Sequence, residues 1–433
     1  MKEKITLTLS SVIHFLVDLT CIYYMNGVLF PLAVTSHMFL MWAVYYNFCA
    51  FALPALVGYL ADRFLPDRGG MRELSGHVRH HAKSPGSFRL LLAAAGCLLV
   101  GIGWFFFRIP VLMITLIGVG NGMFHVGAGM EVLHDSDSRY APPGMFIATG
   151  AVGVFLGTTW GRQFLPLWNT FIIIMFMCAA VLILWSFLMK FIQEQDDPQE
   201  INDFQSTASQ DNLQGISNFQ STAPQGNLQG ISDFQSTAPQ GNLQGNEHRP
   251  AEAAFSQHMA SSNRSVRRKS MKISAVCCLL LFFVVFIRSY YGGLTNYTWK
   301  TGFTLGLVFT LCVAGGKFCG GILADKIGIR KAVILSLGAA GLTALLSFKN
   351  PIAGCTSIFF FNMTMPLTLS LLVDLMPRYS GFAFGLLMLA LFLGTLPGML
   401  LGLTSFATPT GLLFLCLLSM AVLLIELHIT KKA

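Results

Sequence analysis

Apolar stretches long enough to cross a bilayer recur along this chain, separated by short polar turns. A hydrocarbon core about 30 Å thick needs about 20 helical residues. On that measure six stretches precede a polar middle, at about 6–34, 37–62, 89–107, 110–133, 143–164 and 166–191. Six more follow it, at about 272–295, 302–324, 332–348, 351–375, 380–404 and 408–430, the third and ninth of the series being short. Backbone amides in lipid must be paired within their own segment, so each stretch is expected to be a helix. Residues 192–270 are of another kind. A 15-residue unit recurs there, beginning at Asp203-Phe204-Gln205, Asn218-Phe219-Gln220 and Asp233-Phe234-Gln235. With about one Phe and one Leu per unit it cannot bury enough surface to offset ordering, so a disordered linker is expected.

Composition sharpens this pattern. The 433 residues are 54% hydrophobic and 11% charged, against about 25% charged in a soluble domain, which excludes ordinary water-soluble folds. The net charge of +8 reports topology rather than a nucleic-acid partner. With both termini cytoplasmic, 22 of the 28 Lys and Arg fall on the cytoplasmic side. Four (Arg108, Arg162, Lys300, Lys349) fall opposite, and Arg288 and Lys317 lie inside spans. That asymmetry is the positive-inside pattern for an even number of spans. The basic run Arg264 to Lys269 suits anionic headgroups beside the seventh span. The N-terminal apolar stretch is too long for a signal peptide and reads as the first span. Cys21, Cys49 and the other cysteines sit in apolar runs without metal-like spacing. No phosphate-binding Gly-x-x-x-x-Gly-Lys-Ser/Thr or zinc-protease motif occurs. His77, His80 and His81 lie among Arg79 and Lys83, a basic loop rather than a metal site. No cofactor, no metal and no enzymatic activity are expected.

Two similar strings stand at equivalent places. The second span ends Gly58-Tyr59-Leu60-Ala61-Asp62-Arg63; the eighth ends Gly321-Ile322-Leu323-Ala324-Asp325-Lys326, followed by Ile327-Gly328-Ile329-Arg330-Lys331. Glycine allows close helix approach, the acid caps a neighbouring helix or pairs with loop cations, and the basic residues anchor the loop. Such strings in register with the topology indicate a parallel internal repeat. The expected fold is an all-α membrane protein of 12 transmembrane helices in two pseudo-symmetric six-helix bundles, 1–191 and 271–433, with both termini cytoplasmic. These strings resemble the loop signature of the major facilitator superfamily, Gly321 to Lys331 nearly in full and the first copy as far as Phe64. The resemblance implies a monomeric secondary transporter whose bundles rock about a central cavity. Gly122-Met123-Phe124-His125, with the later Gly150-Ala151-Val152-Gly153, resembles the Phe-His-Pro-Glu region of the fosmidomycin-resistance-like branch, with Val126-Gly127 replacing Pro-Glu. Gly153, Gly157 and Gly161 on span five, and Gly394, Gly398 and Gly402 on span eleven, form small-residue stripes expected at the interface between bundles. Thr158 stands where the antiporter version of the span-five motif has proline.

Ionisable groups inside spans are costly and mark function by default. In span one, His14 and Asp18 share a helix face, with Asp18 near mid-membrane. They are proton-coupling candidates together with His125, which shares a face of span four with Asn121. Glu131, nearer the cytoplasmic end, is expected in a structural charge network with Asp62 and Arg63. Lys317 and Arg288, with Asn26, Asn121 and Tyr290, are substrate-cavity candidates. One of the two cations is expected to pair with Asp18 or Asp374 and the other to meet ligand. These residues point to a proton-coupled transporter of a small polar or anionic solute in the plasma membrane. The alternatives are an efflux antiporter for drugs or metabolites and a non-transporting receptor or scaffold that uses the repeat linker.

Overall fold

A residue inside lipid has no water to bond with, and the chain answers by closing its hydrogen bonds within helices. The computed structural model describes residues 2–64, 87–192 and 273–432. Among the described residues the helices are α1 Lys2–Leu32, α2 Ser36–Phe64, α3 Phe88–Phe106, α4 Pro110–Asp135, α5 Ala141–Arg162 and α6 Trp168–Ile192. They continue with α7 Ile273–Leu294, α8 Gly302–Ile327, α9 Ile329–Ala344, α10 Pro351–Leu375, α11 Ser380–Leu400 and α12 Pro409–Lys431. Eleven of these are long and apolar enough to cross a membrane; α9, at 16 residues, is shorter. It begins directly after Gly328, whose φ of +85° ends α8 in a conformation that favours glycine. The repeat-bearing linker, the basic run after it and the His-rich segment after α2 lie outside the described residues.

Residues Met1–Lys190 and Ile273–Ala433 form one compact unit, within which small residues set the helix approaches. Gly153, Gly157 and Gly161 of α5 lie against the α1 backbone at Phe15, Leu19 and Gly27. On α8, Gly316 and Gly320 lie against the carbonyls of Phe359 and Met363 in α10. The first six helices meet the last six along two seams. On one, Gly144 of α5 faces the Lys317 carbonyl of α8 and Gly321 faces the Tyr140 carbonyl. The Phe155 and Phe303 rings meet farther along it, tilted, with 5.5 Å between centroids. On the other, Gly58 of α2 abuts Gly381 of α11, Gly385 abuts the Pro54 carbonyl, and Phe48 meets Phe392 at 6.0 Å.

The expected use of the glycine stripes is therefore corrected. The α5 stripe seals α5 to α1 within the first six helices, not between the two sets. The reason is angular: Gly144, on the inter-bundle seam, and Gly153 are nine residues apart, and at about 100° per residue they point to opposite sides of the helix. On α11, Gly394 lies against Phe286 of α7, while a methyl group at Gly398, or at Gly402 just past the helix, would meet nothing within 4 Å among the described residues.

Candidate functional site

α1 presents His14 and Asp18 one turn apart, and α4 presents Asn121 and His125 one turn apart, so two short pairs meet across one helix contact. His14 Nε2 lies 3.2 Å from Asp18 Oδ2, and His125 Nε2 lies 3.8 Å from Asp18 Oδ1. Asn121 Nδ2 donates to Asp18 Oδ1 at 3.4 Å and to the Tyr46 hydroxyl at 2.7 Å. The imidazoles stand edge to face, 4.5 Å between centroids, and His14 stacks on Phe146 at 4.5 Å. All of these groups are buried, Asp18 with 8% of its surface exposed. Gly150 of α5 leaves the space they occupy: a methyl group there would collide with Asp18 Oδ2 and His14 Nε2.

The hydrogen-bond partners fix which ring nitrogen carries hydrogen. His14 Nδ1 is 2.7 Å from the Phe146 carbonyl, and His125 Nδ1 is 2.9 Å from the Asn121 carbonyl. A carbonyl only accepts, so Nδ1 donates in both rings. In a neutral imidazole Nε2 then presents a lone pair, and both Nε2 atoms face the Asp18 carboxylate. Lone pairs from two rings and an anion repel until a cation stands among them. A proton on Nε2 satisfies this need by making a charge-assisted hydrogen bond. The three side chains also bring one ligand atom each within 4.8 Å of one another, a nitrogen and oxygen donor set that suits a divalent transition metal.

The last six helices contribute two cations. Lys317 of α8 reaches across the seam and donates from Nζ to the Ile147 carbonyl of α5 at 3.2 Å. Its charge acts on both Asp18 and Arg288. Arg288 of α7 is 6% exposed; Nη2 donates to Thr364 Oγ1 at 2.5 Å, and the guanidinium lies 5.9 Å from the centre of the Phe361 ring. Among the described residues its buried Nε and Nη1 have no hydrogen-bond partner. Among the described residues no carboxylate comes within ion-pair distance of either cation, so the expected pairing with Asp18 or Asp374 is replaced by longer-range attraction from Lys317 to Asp18.

Other candidates stand apart. Asn26 bonds back to the Ile22 carbonyl at 2.9 Å and lies two turns beyond Asp18; Tyr290 donates to the Leu403 carbonyl at 2.9 Å. Glu131 lies 3.4 Å from Arg89 of α3, a buried pair nearer the chain termini. Two residues that the sequence did not mark as site candidates belong to the cluster. Tyr46 holds Asn121, and its only sequence signal is a tyrosine inside an apolar run, which reads equally as core. Gly150 makes room, and a glycine signals that only once its neighbour is known.

The two loop strings form matching contacts at the end of the molecule that carries both termini. Asp62 Oδ1 and Oδ2 accept from the amides of Gly381 (3.1 Å) and Phe382 (2.7 Å) at the start of α11. Asp325 Oδ1 and Oδ2 accept from the amides of Tyr140 (2.8 Å) and Ala141 (3.0 Å) at the start of α5. Each carboxylate thus caps a helix N-terminus of the other half, where amides lack intrahelical partners and the helix dipole favours negative charge. Arg330 donates to the Leu427 carbonyl of α12 at 2.9 Å. Arg63, Lys326 and Lys331 are exposed.

A family model described as the Major Facilitator Superfamily matches residues 143–399. Two solved structures align over 98% of this chain and 98% of their own, each with a TM-score of 0.52 and 16% identity. One is a single-site variant of the E. coli fucose:proton symporter FucP; the other is FucP, a Major Facilitator Superfamily transporter, in the outward conformation. At that identity the likeness is one of fold. Among curated protein sequences none matches the chain.

Proposed function

Because the chain belongs to the Major Facilitator Superfamily, and so is a multi-pass membrane transporter, we propose that it moves a small polar or anionic solute by alternating access, coupled to protons. The observation that carries this reading is the buried His14–Asp18–His125 cluster, in which two Nε2 lone pairs and a carboxylate need a cation between them. Lys317, the cation of the opposite half that acts on Asp18, links that cluster to the seam along which the halves move. The proton coupling of FucP, a protein of the same fold, is in keeping with this assignment.

The contacts support the following cycle. With both termini cytoplasmic, the Asp62 and Asp325 caps hold the cytoplasmic ends of the two halves together. A proton bound at the cluster weakens the attraction of Asp18 for Lys317, which frees α8 to move against α5. Solute binding next to Lys317 contributes the differential energy that any shift between states requires. The protein works as a monomer in the plasma membrane, without cofactor and without enzymatic chemistry. The efflux-antiporter and scaffold readings have no comparable observation behind them.

The reading is tested in proteoliposomes holding a trapped pH-sensitive dye, with sugars, amino acids and organic acids added in turn at zero pH gradient. A transported solute is expected to change the internal pH in step with its own uptake. Uptake without a pH change overturns proton coupling. If uptake instead requires a divalent ion and stops with a chelator, the same three donors hold a metal.

A further inference from the structure

The guanidinium of Arg288 is buried, and among the described residues two of its three nitrogens have no hydrogen-bond partner. An arginine side chain does not shed its proton in proteins, so burial cannot neutralise it. An uncompensated buried charge is strongly unfavourable. Here Thr364 and the face of Phe361 hold the group in place, while Nε and Nη1 have nothing to donate to. Lys317, with a single hydrogen bond to a carbonyl, adds a second cation that Arg288 repels.

Even with neutral imidazoles, Lys317 and Arg288 stand against one carboxylate of the cluster, Asp18, and among the described residues none forms an ion pair with Arg288. The Arg89–Glu131 pair lies toward the termini, and Glu426 on α12 accepts a bond from Thr430; among the described residues neither acid reaches the two cations. The donors left waiting are those of a guanidinium, whose planar fork matches a carboxylate.

We infer that Arg288, assisted by Lys317, anchors the carboxylate of a small organic monoanion, which is the solute. This deepens the transport reading and rests on it in one respect: the free nitrogens are enclosed in the present state, so the anion reaches them in a state opened by movement of the two halves. The Asp18 cluster carries the proton, and the Arg288 subsite carries the solute's charge.

Binding is read without a proton gradient, so this test and the proton test fail separately. Purified full-length protein is unfolded by heat in the presence of sodium acetate, lactate, benzoate or gluconate, each beside its uncharged amide, at ionic strength matched with sodium chloride. A ligand of the folded state raises the melting temperature saturably. At least one carboxylate is expected to do so while its amide does not. Arg288→Lys should weaken that response about tenfold or more, and Arg288→Met should abolish it while raising the ligand-free melting temperature, because a buried charge without a partner is gone. Should Arg288→Met fail to fold, Arg288→Lys carries the comparison. The inference is overturned if no carboxylate of the set stabilises the protein, or if the amides, chloride or inorganic phosphate stabilise it equally. Unchanged carboxylate affinity in a folded Arg288 variant overturns it as well.

Discussion

Asp18 is held by three neighbours from two helices, and each neighbour acts through a different atom. His14 faces one carboxylate oxygen; His125 and Asn121 face the other. Gly150 sets the tolerance of this arrangement. Gly150→Ala places a methyl group against two side-chain tips rather than backbone, so it is expected to cost about 1 kcal/mol of stability while lowering pH-driven accumulation severalfold. Thermal unfolding measured beside flux checks the split; equal loss of both would make the effect one of folding. Lys317→Met is expected to weaken solute binding about tenfold with little change in melting temperature, measured by ligand-induced stabilisation. At this scale the sequence was informative within a helix and silent between helices. The i, i+4 spacing of His14 with Asp18 and of Asn121 with His125 puts each pair on one face, but which faces meet depends on α1–α4 packing. For the same reason Asn26 and Tyr290 resembled cavity residues, although one bonds to its own helix and the other to the Leu403 carbonyl.

α5 shows what an element adds. One side of it carries Gly153, Gly157 and Gly161 against α1; the other carries Tyr140 and Gly144 against α8. Gly153→Ala would meet the Phe15 carbonyl and the Leu19 amide, backbone groups that cannot swing aside. It is expected to cost about 1–3 kcal/mol, read as a fall in melting temperature with solute affinity per folded molecule unchanged. A normal melting temperature would show that α1 and α5 are not so closely packed. Spacing in the sequence reveals that a small-residue stripe exists, since every fourth position is glycine. It does not reveal the partner, because helices on either side of α5 could take it. The short α9 was visible as a weak apolar stretch, and Gly328 explains its early start.

For the whole molecule the two carboxylate caps are the defining contacts, since each joins the end of one half to a helix start in the other. Replacing Asp325 by Asn removes the charge that complements the α5 dipole, a loss of about 1 kcal/mol. Amide exchange at Tyr140 and Ala141 should then quicken about fivefold, with Gly381 and Phe382 little changed; Asp62→Asn should do the reverse. Equal exchange in both variants and the parent would contradict the capping role. The fold was legible at this scale because the two strings recur in register with the count of spans and with the placement of basic residues. The site was legible only as a list of costly charges. The structure sorts them into the His14–Asp18–His125 cluster in the first half and two cations in the second.

The proposed coupling of proton movement to solute movement through Asp18 is read from coupled and uncoupled flux in Asp18→Asn proteoliposomes. Asp18→Asn keeps the size of the side chain and removes the charge. Solute exchange between equal internal and external pools is expected to continue while accumulation driven by a pH gradient is lost. Accumulation undiminished by the substitution would contradict that coupling.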